Sequence, residues 1–413
     1  MRKSVMLAFA ALLLAAAASL SASAAPQGAN ATQATPGVTK KSITLGGTFP
    51  LSGIASIYAP IARGMDTYFK YINSRGGVRG RKIIWKYYDD AYNPAQTVQL
   101  TQKLVVEDKV FAIVGSLGTE HNQAIRPYLN QRKIPQVLIS TGAASFGLQH
   151  KQYPWTIGWQ PDYIAEGRIY GRWIANNAPR AKIAVFYQND DYGKEYLRGL
   201  ESGLGAKKSL IVSKEHYEAN DAAYGAQIAK QKLSGADTWV LLTTPTPTVK
   251  AMLQAKALAW KPDTVVINSV AASDAVMKAA EDRQLREYTN GAISDGYIKN
   301  PGNPKYAKDA AVKRYFAMAK RFGKGNNVQD AIYYYGVAKA YDVVKALVRA
   351  GKRPTRASFM RAIRSMNHVN PFALKGMKVK TRGAKDAFPL DQTKMIRYQN
   401  GTWSEISGLM KAR

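Results

Sequence analysis

The chain has 413 residues, no cysteine and a formal net charge of +31, from 59 Lys and Arg against 28 Asp and Glu. That length supports two or three domains with sizeable cores, and the missing cysteines exclude a disulfide framework, thiolate zinc sites, iron–sulfur clusters and a cysteine nucleophile. Basic residues are spread along the chain, with short knots only at 75–82 and 378–385, so the charge reads as a solvated surface and no nucleic-acid partner is expected.

Arg2 and Lys3 precede an apolar run over 5–18, and Ala22-Ser23-Ala24 supplies small residues for cleavage. Residues 1–24 therefore read as a signal peptide, and no cysteine follows that could carry a lipid anchor. Residues 25–41, small and polar, read as a flexible lead-in. No later stretch approaches the roughly 18 apolar residues of a membrane span. Strands are predicted over 43–49, 82–88, 110–114, 136–140, 182–187, 210–216, 238–243, 264–268 and 291–294. Between them come helices over 61–74, 94–107, 119–130, 163–176, 193–204, 224–234 and 246–260. In the first of these, Met65, Phe69 and Ile72 form one apolar stripe. The last third predicts long helices over 304–322, 330–350 and 355–366, then β-rich segments near 373–379 and 393–403. Alternating strands and helices mean parallel sheets covered by helices, and the number of strands calls for two α/β lobes.

Ligands in such folds bind beyond the carboxyl ends of the strands. The loops there read FPLSGIASIY (49–58), VGSLGTEHN (114–122), ISTGAAS (139–145), YQNDDYGKE (187–195), LLTTPTPT (241–248) and INSVAAS (267–273). Their Gly, Ser and Thr allow backbone N–H groups to meet an anion at a helix start. Catalytic signatures are missing. The four histidines, His121, His150, His216 and His368, form no metal pattern, and no phosphate loop, dinucleotide fingerprint or nucleophile elbow occurs. The acid pairs Asp89-Asp90 and Asp190-Asp191 read as turns and helix caps. His121 reads as a surface cap, although it sits in a candidate binding loop. No enzyme, cofactor or metal site is expected.

PLSG with Tyr58, GGVRGRK followed by YDDAYNP, VGSLGT, ISTGAAS and NDDYGKEYLRGL occur in an order that resembles the periplasmic solute-binding proteins of ABC importers. The likeness is to the branched-chain amino acid (leucine/isoleucine/valine) binding group, and it runs from about Lys41 to the C-terminus. The resemblance implies a type I periplasmic binding fold, in which two α/β lobes close like a hinged trap on three crossing strands. The crossings are expected near 157–160, Ser294 and 386–390, with lobe one at 42–158 plus 295–386 and lobe two at 159–294 plus 387–413. By the same resemblance, Leu117, Gly118, Thr119 and the backbone of Gly142, Ala143 and Ala144 hold a ligand carboxylate. Tyr58 and Tyr192 cover its apolar part. Two positions depart from the family pattern. A second lobe-two tyrosine aligns with Pro245, and the acid that pairs with the ligand ammonium aligns with Ser269; Asp330 and Asp191 are the nearest replacements. An unpaired buried ammonium is costly, so an aromatic or aliphatic acid or an amide is as well suited as leucine. The implied role is extracytoplasmic capture of a small carboxylate-bearing solute by a monomer, for delivery to a permease and its ATPase. The alternative is a ligand sensor of the same fold that signals to a membrane receptor.

Overall fold

The computed structural model describes residues 35–383 and 386–411. The expected signal peptide, and the lead-in up to residue 34, lie outside them. Residues 35–41 do have a fixed course, with Val38 bridging Ile43 and the Gly37 carbonyl accepting from the Thr44 N–H at 2.8 Å.

The first sheet contains β1 (Ser42–Phe49), β2 (Lys82–Asp89), β3 (Ala112–Val114), β4 (Gln136–Val137) and β5 (Thr156–Ile157), ordered β2-β1-β3-β4-β5 and all parallel. The second contains β6 (Ile183–Gln188), β7 (Ile211–Tyr217), β8 (Thr238–Leu242), β9 (Thr264–Ile267) and β10 (Ile293–Gly296) in the order β7-β6-β8-β9-β10, again parallel. Beyond a small ladder of β11 (Asn367–His368) and β12 (Val379–Lys380), the chain returns to this sheet. There β13 (Gln392–Gln399) adds antiparallel to β10, followed by β14 (Thr402–Glu405) and β15 (Met410–Lys411) against β13. Each sheet reverses its winding once, between β1 and β3 and between β6 and β8, and both reversals open loops toward the cleft.

Capping chemistry explains several boundaries. The segment expected as one helix over 304–322 is broken. A short 3₁₀ turn at Pro304–Tyr306 ends before Asp309, whose carboxylate accepts from the N–H groups of Ala311 and Val312 at 2.8 and 3.0 Å and starts a new helix, Ala310–Phe322. The region expected to be β-rich at 373–379 supplies only a bridge at Ala373 and the two-residue β12. The acid pairs are turns and caps. Asp89 accepts from the Leu51 and Ala91 N–H groups at 2.8 and 2.9 Å, and Asp190 caps the helix Asp191–Leu204 through the Gly193 N–H at 3.1 Å.

Helices beside the cleft approach one another backbone to backbone. In lobe one, a Cβ on Gly64 would stand 2.1 Å from the Tyr333 carbonyl oxygen, and one on Gly336 would stand 2.1 Å from that of Ile61. This contact locks the helix Pro60–Ser74 against Ala331–Arg349. In lobe two the helices Tyr163–Asn177 and Asp191–Leu204 each contain a pair of glycines four apart, Gly167 and Gly171 in the first and Gly199 and Gly203 in the second. A Cβ on Gly167 would meet the Tyr196 oxygen at 2.3 Å, and a Cβ on Gly199 the Ile164 oxygen at 2.2 Å. No real side chain fits such gaps, so the helices must separate if one is added. Gly199→Ala is therefore expected to destabilise the protein by about 1–3 kcal/mol, read as a lower urea midpoint with an unchanged slope.

Candidate ligand-binding cleft

The loops at the carboxyl ends of both sheets face each other across one cavity of about 180 Å³. That is close to the roughly 150 Å³ that accommodates a benzene-sized ligand. From lobe one come Tyr58 after β1, Leu117, Gly118 and Thr119 after β3, and Ser140 after β4; from lobe two come Tyr192 after β6, Thr244 after β8 and Ser269 after β9. Tyr92, Tyr163, Tyr297 and Tyr335 complete a wall of phenol rings. Tyrosine suits this position because it offers a broad apolar face with a hydrogen-bonding tip.

The lobes touch over this cavity. Tyr58 Oη donates to the Val270 carbonyl at 3.1 Å, Thr246 Oγ1 to the Ile54 carbonyl at 3.3 Å, and Gln123 Nε2 to Asp191 Oδ2 at 2.9 Å. A fourth link is the Ala144 N–H, which donates to Glu195 Oε2 at 2.7 Å. Burial pushes the Glu195 carboxyl up to about 7, opposed by that hydrogen bond and by Arg198.

Six of the sequence-predicted residues line the cavity: Tyr58, Leu117, Gly118, Thr119, Tyr192 and Ser269. Thr119 opens the helix Thr119–Gln131 and shares a hydrogen bond of 2.7 Å with the Thr141 hydroxyl. Gly118 precedes it at φ +106°, where a Cβ would collide with the His121 ring. His121 is not the expected surface cap. It is buried, packs on Tyr92 at a centroid distance of 4.4 Å, and has its ring pushed down to about 4 by burial, hence neutral.

The other five are not among the lining residues. The Gly142 carbonyl accepts from the Tyr163 N–H at 2.8 Å, the Ala143 N–H donates to Thr141 Oγ1 at 3.1 Å, and the Ala144 amide is held by Glu195. The amides of Ala143 and Ala144 are thus bonded within the protein. Pro245 is buried at the start of the helix Pro245–Ala257, and its neighbour Thr244 reaches the cavity instead. Asp330 caps Ala331–Arg349 through the Ile332 N–H at 2.8 Å, so its carboxylate serves the helix.

Sequence reasoning missed the carboxylates behind Ser269. The N–H and hydroxyl of Ser269 donate to Glu166 at 2.8 and 2.9 Å, and Tyr196 Oη adds a third donor at 2.7 Å. Tyr170 Oη lies 2.6 Å from Glu166 Oε1 and 2.5 Å from Asp295 Oδ1. A phenol has one hydrogen to give, so the second contact requires a proton on a carboxyl group. At least one of Glu166 and Asp295 therefore holds a proton. Burial raises both, and mutual repulsion adds to the rise at Glu166. Asp295 also contacts the Thr393 hydroxyl on β13 and is among the residues lining the cavity. Among the described residues no group of three or more His, Cys, Asp or Glu is arranged to hold a metal ion.

A family model described as periplasmic binding protein matches residues 42–401. The chain belongs to that family. Among individual relatives, the leucine-specific-binding protein of Salmonella typhimurium is 25% identical over 45% of this chain and 51% of its own length, so the chain spans about half of such relatives. Solved structures of the family share the fold more fully. A branched-chain amino acid ABC transporter protein from Thermus thermophilus with bound valine aligns with a TM-score of 0.75 at 18% identity, over 91% of this chain and 97% of that one. A solute-binding protein from Rhodopseudomonas palustris BisB5 in complex with 3,4-dihydroxybenzoic acid gives 0.73 at 18%, over 91% and 98%. The fold is the two-lobed α/β type of periplasmic binding proteins.

Two pH effects follow from the buried acids. In the folded chain Glu195 keeps its proton up to about pH 7, whereas the unfolded chain releases it near the ordinary value of 4.5. Stability from this group therefore falls as pH rises between those values. Melting curves of Glu195→Gln from about pH 5 to 8 are expected to fall less than those of the wild type. The Glu166–Asp295 pair has the same sign. Asp295→Asn, which supplies a donor without a charge, is expected to fold and to hold its Tm better than the wild type as pH rises past neutrality.

Proposed function

We propose that this periplasmic binding protein captures a small carboxylate-bearing solute outside the cytoplasm and delivers it to an ABC permease. The solute is a branched-chain amino acid or a compact aromatic or aliphatic acid. Lobe one is taken as 42–158 plus 295–386 and lobe two as 159–294 plus 387–413, turning about crossings near 157–160, Ser294 and 386–390. The observation that carries the reading is Thr119. It combines a hydroxyl with the first turn of a helix at the edge of a tyrosine-walled cavity, which favours a carboxylate through both the hydrogen bond and the helix dipole. Tyr58 and Tyr192 would lie against the apolar part of the solute, and the cavity size favours one ring or a short branched chain. No helix among the described residues is long and apolar enough to cross a membrane.

Capture is binding without turnover: the solute stabilises the closed arrangement by its higher affinity for it. A thermal-shift screen tests this with leucine, isoleucine, valine, benzoate- and cinnamate-type acids and short amides. A true ligand at about 100 times its Kd stabilises by about 2.7 kcal/mol, a shift of a few degrees. Thr119→Val is expected to weaken that ligand by about 1–3 kcal/mol. Unchanged affinity would remove Thr119 from the site, and no shift from any carboxylate would sink the reading.

A further inference from the structure

Lys339 is fully buried in the helix Ala331–Arg349, about one turn beyond Tyr335 and two beyond Ala331 and Ile332, which line the cavity. Helical side chains lean toward the N-terminus, so its stem climbs back toward the cleft. Its ammonium donates to the hydroxyl of Ser140, a cavity-lining residue, and lies 4.6 Å from the ring centre of Tyr335 and 5.1 Å from that of Trp159. What it lacks is an anion. Asp342, three residues on, has its oxygens taken by Trp159 Nε1 and His368 Nε2, each at 2.7 Å, and among the described residues no carboxylate stands in salt-bridge contact with Lys339. The other deeply placed lysine, Lys299, has a carboxylate partner in Asp309 and a second acceptor in the Pro371 carbonyl, both at 2.8 Å.

We propose that Lys339 is the charge that selects an anionic solute, acting through Ser140 from behind the wall of the cavity. This rests on the carboxylate reading above and adds its electrostatic source. The Ser140 hydroxyl donates to the Gly115 carbonyl at 2.7 Å. A carboxylate seated at Ser140 takes over that hydrogen, while Lys339 continues to donate to the oxygen and gains the counter-charge it lacks. An uncompensated buried cation is costly, and the bound anion relieves the cost. An amide of the same shape does not. Burial pushes the lysine amine well below its ordinary range, with Asp342 pulling it back up, so the protein alone disfavours the charged form and an anion at Ser140 restores it.

The test compares acids with their amides, benzoate with benzamide and leucine with leucinamide, by calorimetry on wild type, Lys339→Gln and Lys339→Met. Wild type is expected to prefer the acid of the binding pair by about tenfold or more, and both variants to lose most of that preference while amide affinity changes little. An undiminished preference in the folded variants overturns the assignment and leaves the carboxylate reading standing. If no carboxylate of the thermal-shift screen binds wild type, that reading falls and Lys339 falls with it. The ligand-free melting temperature separates a structural role. Lys339→Met at or above wild type fits a charge kept for binding, whereas a large loss of Tm in both variants makes Lys339 a structural residue and overturns the proposal.

Discussion

In a parallel sheet every strand delivers its carboxyl end, and every following helix its N–H-rich start, to the same edge. This constraint organises the protein. Two such sheets face each other edge to edge, so residues that are scattered in the chain, from Tyr58 to Tyr335, converge on one cavity. The return of β13 to the second sheet extends the lobe, while Thr393 on it bonds to Asp295 on β10.

The walls of the cavity need stiff supports, and glycine provides them. Each lobe sets a pair of helices in backbone contact, at Gly64 and Gly336 in one and at Gly167 and Gly199 in the other. Tyr163 and Tyr192 begin the two helices of the second pair, and their rings meet edge to face at 5.1 Å. The tight crossing thus fixes two of the tyrosines against one another before any solute arrives.

Much of this was legible in the sequence, because turn residues and motif order act locally. The loops after β1, β3, β6 and β9 carry Tyr58, Thr119, Tyr192 and Ser269, and all four residues line the cavity. The illegible part depends on partners distant in the chain. The Gly142–Ala144 loop has the composition of an anion site, but Thr141 and Glu195 already hold two of its amides. Asp330 has the charge to meet an ammonium, but its place before a helix makes it a cap. Glu166 and Lys339 sit in helical stretches, where a single charged residue reads as a solvated face; only the tertiary structure shows them to be buried.

The many acids used as caps and in buried pairs alter what the solvent sees. Asp89, Asp162, Asp190, Asp309 and Asp330 are occupied with backbone N–H groups, and Glu166, Glu195 and Asp295 face inward. The other 20 acids are far outnumbered by the 59 lysines and arginines. The outer field is accordingly positive over long distances at low ionic strength, and is cut to about 8 Å at physiological salt. At low salt that field keeps copies of the protein apart and draws small anions from solution toward its surface.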